Sequence, residues 1–118
     1  MEGKPESRVE PVSGVDRDGG AVVVHLAGEL DLYNAHQVRE ALLACCTDAP
    51  ERLVVDLAAV EFLDSTVLGV LVEARSRMSD RTGFVLAAPG AEATRALEVS
   101  GLDKHFVVRT TVEEALAS

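Results

Sequence analysis

A chain of 118 residues, 47% of them hydrophobic, falls in the commonest size range for one domain and carries enough apolar side chains to bury a core. Its formal charge of -9, from 20 acidic and 11 basic residues, repels nucleic-acid phosphates and anionic membrane surfaces at long range, so nucleic acid is not an expected partner. No apolar run approaches the roughly 18 residues that span a bilayer, so no membrane insertion is expected, and Met1 to Arg8 has no signal-peptide-type apolar stretch, which makes the cytoplasm the expected compartment.

Residues 1–8 are polar and are expected to form a flexible N-terminal segment ahead of a single domain over residues 9–118. Val9 to Val15 reads as a weak strand interrupted by Pro11 and Gly14. Asp18-Gly19-Gly20 supplies the positive φ angles of a tight turn, and Ala21 to Ala27 is a β-branched run, so the chain is expected to open with a hairpin. Asn34 and Gln37 are spaced as a capping box ahead of Val38, Leu42 and Cys45. This predicts a helix to about Cys46, stopped by Thr47-Asp48-Ala49-Pro50.

Leu53 to Leu57 is short, apolar and β-branched, as in a central strand buried on both faces of a parallel sheet. A second helix is predicted from Ser65 or Thr66 to about Ser79, with Val67, Leu71, Ala74 and Met78 on one stripe and Leu68 and Val72 widening it. Phe84 to Ala88 reads as another buried strand, after which Pro89-Gly90 opens a third helix that Ser100-Gly101 closes. Phe106 to Val108 is a last strand, and Thr111 with Glu114 forms a capping box for a short terminal helix. This alternation predicts an α/β domain with right-handed crossovers, a mixed and mostly parallel sheet of four to five strands with helices packed on it.

The sequence contains no catalytic or metal-binding motif. Ser65 lacks the flanking glycines of a nucleophile elbow, and neither a P-loop nor a G-x-G-x-x-G run occurs. Cys45 and Cys46 are adjacent, too strained for a structural disulfide, and His25, His36 and His105 are not spaced as a zinc motif. No catalytic residue, metal or cofactor is therefore expected, and the chain is not expected to be an enzyme. Most carboxylate pairs of an acidic chain, Glu113 and Glu114 among them, are solvated surface. Glu29 and Asp31 differ in following a buried strand into a helix, because open α/β sheets place their functional surfaces at the carboxyl ends of strands. The Asp64-Ser65 loop has the same character, and if the two strands are parallel neighbours the loops lie side by side. Ser65 falls at a helix N-terminus, where backbone N–H groups without partners and the helix dipole accommodate a phosphate.

Ala27-Gly28-Glu29-Leu30-Asp31, then Phe62-Leu63-Asp64-Ser65-Thr66 with Leu68-Gly69-Val70, and later Ser100-Gly101-Leu102, together resemble the STAS domain of anti-anti-sigma factors over roughly residues 9 to 117. The resemblance implies the STAS fold and an anti-sigma factor antagonist that binds a protein-kinase anti-sigma factor and so frees a sigma factor. It implies that phosphorylation of the serine after the aspartate, Ser65, blocks that binding. ATP would then sit on the partner kinase, with a serine phosphatase as a further partner. Asp64 matches the aspartate before the phosphoserine and Thr66 the hydroxyl residue beside it. Asp31 matches the acidic end of the first loop. Leu68 and Gly69 match the leucine and glycine of the helix start, where the partner packs.

Leu68 and Val72 supply either an apolar partner surface or further core contact, Tyr33 beside Asn34 either joins that surface or staples the helix entry, and Glu29, Asp31, Asn34, Asp64, Thr66 and Gly69 complete the expected partner surface. The family usually has glycine where this chain has Val67, and a β-branched residue there is expected to stiffen the first turn and crowd an approaching kinase. Two other readings follow from the same resemblance: an unmodified accessory or scaffold STAS protein of a signalling or transport assembly, and a small-ligand or lipid-binding STAS domain. The last needs an apolar cavity.

Overall fold

Gly19, at φ 63°, turns the chain between β1 (Val12–Asp18) and β2 (Ala21–Leu30), which pair antiparallel as the expected hairpin. A computed structural model describes residues 9–117, so the N-terminal segment 1–8 lies outside the described residues. The remaining elements are α1 (Ala35–Thr47), β3 (Arg52–Leu63), α2 (Ser65–Ser76), β4 (Phe84–Ala87), α3 (Ala91–Ser100), β5 (Val107–Arg109) and α4 (Val112–Ala117). The first strand begins at Val12 rather than Val9, the third runs six residues past Leu57, and the second helix stops at Ser76, short of Ser79.

The five strands lie in the order β1-β2-β3-β4-β5, with every pair after the first parallel. Alternate residues of each strand face opposite sides. Val22, Val24 and Leu26 of β2 and Leu53, Val55 and Leu57 of β3 share one core with α1, α2 and α3, whereas Val23, Val54, Val85 and Ala87 meet Ala115 of α4 on the other face. Gly101, at φ 80°, closes α3 in the left-handed conformation expected of a C-terminal glycine. Thr111 Oγ1 accepts from the Glu114 N–H at 3.0 Å, and Glu114 Oε1 accepts from the Thr110 N–H at 3.2 Å, which starts α4. Arg39 of α1 donates two hydrogen bonds to the Glu73 carboxylate of α2, each 2.8 Å, and holds that carboxyl below the usual carboxylate range.

One polar cluster crosses three strands on the α4 side of the sheet. His25 Nδ1 lies 2.6 Å from Asp56 Oδ2 and its Nε2 lies 2.8 Å from Asp16 Oδ2. The hydrogen bond to Asp56 is the main reason the imidazole titrates above its usual value; Asp16 adds to it and partial burial opposes it. Because the folded value exceeds the unfolded one, this stabilisation is complete below the unfolded value of about 6.5 and is lost as pH rises through the folded value. The urea midpoint of the wild-type chain is therefore expected to exceed that of His25→Gln by more at pH 6 than at pH 8.5. A difference between the two chains that does not change with pH would refute the clasp.

Candidate functional site

β2 and β3 end level, with Leu30 paired to Leu63 and both side chains buried. The extra length of β3 produces this, since its last residues continue to pair with β2 after β4 has ended. The β2–α1 loop and the β3–α2 junction thus emerge together at the carboxyl end of the sheet, the side-by-side placement expected from two parallel neighbours.

Asp64 is the whole junction. Its backbone is extended (φ -106°, ψ -178°), and as N-cap of α2 its Oδ1 accepts from the Val67 N–H at 3.2 Å. Its other oxygen, Oδ2, accepts from the Leu32 N–H across the gap at 3.1 Å, and its own N–H donates to Leu30 O at 3.1 Å. Ser65 follows as the first residue of α2 and is exposed. Thr66 and Gly69 are exposed beside it, and a Cβ at Gly69 would meet nothing within 4 Å, so a partner can approach the helix backbone closely there.

The β2–α1 loop is held from within. Gly28 enters it at φ 82°, with Val9 packed where a Cβ would stand. Asn34, 8% exposed, accepts from the Asp31 N–H through Oδ1 and donates to Glu29 O through Nδ2, both at 2.9 Å. Asp31 Oδ1 accepts from the Tyr33 N–H at 3.0 Å, an Asx turn. The expected Asn34–Gln37 capping box does not form, because the Asn34 amide is committed across the loop and makes no cap bond to α1. The closed loop pushes Leu32 and Tyr33 outward, 66% and 79% exposed, and Glu29 is exposed beside them.

The structure decides the place of four of these residues. Asn34 is a buried brace, not a surface residue. Leu68, 7% exposed, belongs to the core, and Val72 is half-buried against it, so of the pair only Val72 reaches the surface. Val67 is fully buried, and its branched side chain points into the core, away from the approach to Ser65. The exposed apolar rim instead includes two residues outside the expected set, Leu32 and Phe62, with Val99 of α3 further along. Phe62, Leu63, Glu92, Arg95, Ala96 and Val99 line a shallow groove of about 240 Å³ beside the junction. Two bulky apolar residues between Asp31 and Asn34 were the available sequence signal for Leu32. Val99, off the Ala93–Leu97 stripe, was the signal for α3.

Among the described residues no group of three or more histidine, cysteine, aspartate or glutamate side chains could hold a metal ion. Cys45 and Cys46 are free thiols, pushed by burial above the usual thiol range. No helix among the described residues is long and apolar enough to cross a membrane.

The STAS domain family model matches residues 14–115. The chain is 36% identical over 97 residues to anti-sigma-F factor antagonist RsfB of Mycobacterium tuberculosis, covering 82% of this chain and 80% of that one. It is 35% identical over 100 residues to the anti-sigma-B factor antagonist of Listeria monocytogenes, covering 84% and 88%. The crystal structure of an anti-sigma factor antagonist from Mycobacterium paratuberculosis is similar with a TM-score of 0.82 at 37% identity, over 87% of this chain and 88% of that one. The five-stranded sheet, the level ends of β2 and β3 and these likenesses converge: the chain belongs to the STAS-domain family, among its anti-sigma factor antagonists.

Proposed function

We propose that this chain binds a protein-kinase anti-sigma factor in the cytoplasm, frees a sigma factor by doing so, and is switched off by phosphorylation of Ser65. The observation that carries the reading is the position of Ser65. It stands exposed at the first turn of α2, directly after Asp64, whose carboxylate holds the Leu32 N–H of the exposed Leu32–Tyr33 tip. The contact surface consists of Glu29, Leu32, Tyr33, Ser65, Thr66, Gly69 and Val72, with Asp31, Asn34, Asp64 and Leu68 supporting it from beneath. The acidic residues of this chain favour a partner with a basic face.

An unmodified serine is small and neutral and lies under an interface at little cost. A phosphoserine carries a charge of about -1.5 to -2, beside Asp64, and covering it requires desolvation and like-charge contact. The N-terminus of α2 accommodates that phosphate, so the modification acts on the interface and leaves the fold in place. ATP belongs to the kinase, and a serine phosphatase restores the binding form. Small-ligand binding has less support, because the groove beside the junction, about 240 Å³, falls under the roughly 300 to 1,000 Å³ of ligand pockets.

Incubation with ATP and a candidate anti-sigma kinase, followed by mass spectrometry, is expected to place one phosphate on Ser65 and none on the Ser65→Ala chain. Phosphate on Thr66 instead, or none with any kinase that the chain binds, would sink the switch and leave the accessory-protein reading.

A further inference from the structure

The Asp64 carboxylate spends its two oxygens on two different elements: Oδ1 on the first turn of α2 and Oδ2 on the Leu32 N–H of the β2–α1 loop, 32 residues earlier in the chain. The residue that follows it is Ser65. We propose that Asp64 is a positioning residue that couples the state of Ser65 to the Leu32–Tyr33 tip: a phosphate on Ser65 displaces the Asp64 carboxylate from the Leu32 N–H and loosens the apolar tip. The proposal rests on the reading that Ser65 is phosphorylated.

A phosphoryl group on Ser65 places a second anion one residue from the carboxylate, and its oxygens seek the same N–H groups of the first turn of α2 that Asp64 now caps. The phosphate is tethered at the helix end, where those donors and the dipole hold it. The carboxylate is half-buried and turns about its own side-chain bonds, so it is the group that yields. The bond that suffers is the one to Leu32, since it reaches from the start of α2 across to the neighbouring loop rather than to the helix's own first turn. Asp31 Oδ1 holds the Tyr33 N–H and Asn34 holds the Asp31 N–H, and neither bond involves Asp64. The response is therefore local: the Leu32 amide is released while the rest of the loop keeps its bonds. Phosphorylation then weakens the interface in two ways, by placing charge under it and by freeing its most prominent apolar residues.

The test uses the isolated chain with phosphoserine genetically encoded at position 65, read by NMR amide exchange with water and by the Leu32 amide proton shift. Phosphorylation is expected to speed Leu32 exchange at least tenfold and move its proton upfield, while the Tyr33 amide and the strand amides of Val23 and Val54 keep their rates. Asp64→Ser retains a cap for α2 but is too short to reach Leu32. Its Leu32 amide is expected to exchange fast before modification and to change less than twofold after it.

Unchanged Leu32 exchange in the phosphorylated wild-type chain overturns the proposal, and that measurement stands whether or not Asp64→Ser folds. A tenfold response of Leu32 that persists in Asp64→Ser overturns it as well. No kinase or partner is present in the tube. Failure here leaves the antagonist reading intact, and failure to find a kinase for Ser65 leaves this coupling measurable.

Discussion

Ser65→Glu is expected to weaken binding to the anti-sigma partner by about 100-fold, while the melting temperature moves by no more than about 2 °C. The two halves of that expectation come from different links in the same chain of causes. On the fold side, Ser65 is exposed and first in α2, so a carboxylate there costs no packing. An anionic side chain in the first turn favours the helix by roughly 0.3 to 1 kcal/mol, which offsets repulsion from Asp64. On the interface side, the new charge is covered by the partner next to an existing carboxylate, and like-charge contact across an interface costs several kcal/mol. A penalty of about 3 kcal/mol corresponds to about 100-fold at 1.4 kcal/mol per decade.

Ser65→Ala is the matching control, expected to bind within about threefold of wild type, because it removes a hydroxyl without adding charge. Calorimetric titration of the three chains against the same anti-sigma partner separates the cases. Equal affinity of Ser65→Glu and wild type would mean that the partner does not cover this end of the sheet. Equal loss in Ser65→Glu and Ser65→Ala would point to a hydroxyl contact rather than a charge effect.

The order of elements was legible because each carries its own signal: a β-branched run in β2, apolar runs in β4 and the middle of β3, 3.6-residue spacing in α1 and α2, and the Pro-Gly and Ser-Gly ends of α3. The end of β3 was not. Continuous burial stops after Leu57, since Ala58, Ala59, Glu61 and Phe62 are exposed, yet main-chain pairing with β2 continues to Leu63 across register shifts. Side-chain pattern reports burial, and here the backbone ladder outlasts it.

The site followed the same division. Ser65, Asp64 and the Glu29–Asp31 loop were readable as two strand-to-helix junctions, since the parallel order makes such loops neighbours. The Asn34–Gln37 spacing fits a cap that does not form, because spacing alone carries no record of which backbone groups lie across a loop. Periodicity left Leu68 between core and partner surface, and packing decides for the core, because the apolar face of α2 is wider than one stripe. The Asp64–Leu32 bond and the His25–Asp56–Asp16 cluster join distant residues and leave no local signature.

Asn34→Ala is expected to destabilise the chain by about 2 to 4 kcal/mol and to lower the melting temperature by about 10 °C. The Asn34 side chain satisfies one donor, the Asp31 N–H, and one acceptor, the Glu29 carbonyl, and is itself buried. Truncation leaves both backbone groups without that partner, at about 1 to 3 kcal/mol each where water does not reach them. Asn34→Asp separates donor from acceptor: it keeps a group to accept from Asp31 but sets a carboxylate against the Glu29 carbonyl oxygen. It is therefore expected to destabilise at least as much at pH 7 and to recover part of the loss under acid, when the new carboxyl can donate.

Leu32→Ala and Tyr33→Ala provide the opposite pattern. Both side chains are largely exposed, so their loss should leave the melting temperature within about 2 °C and weaken only partner binding. A melting temperature for Asn34→Ala within 3 °C of wild type would show that the loop does not depend on its buried amide. The outward presentation of Leu32 and Tyr33 would then need another cause.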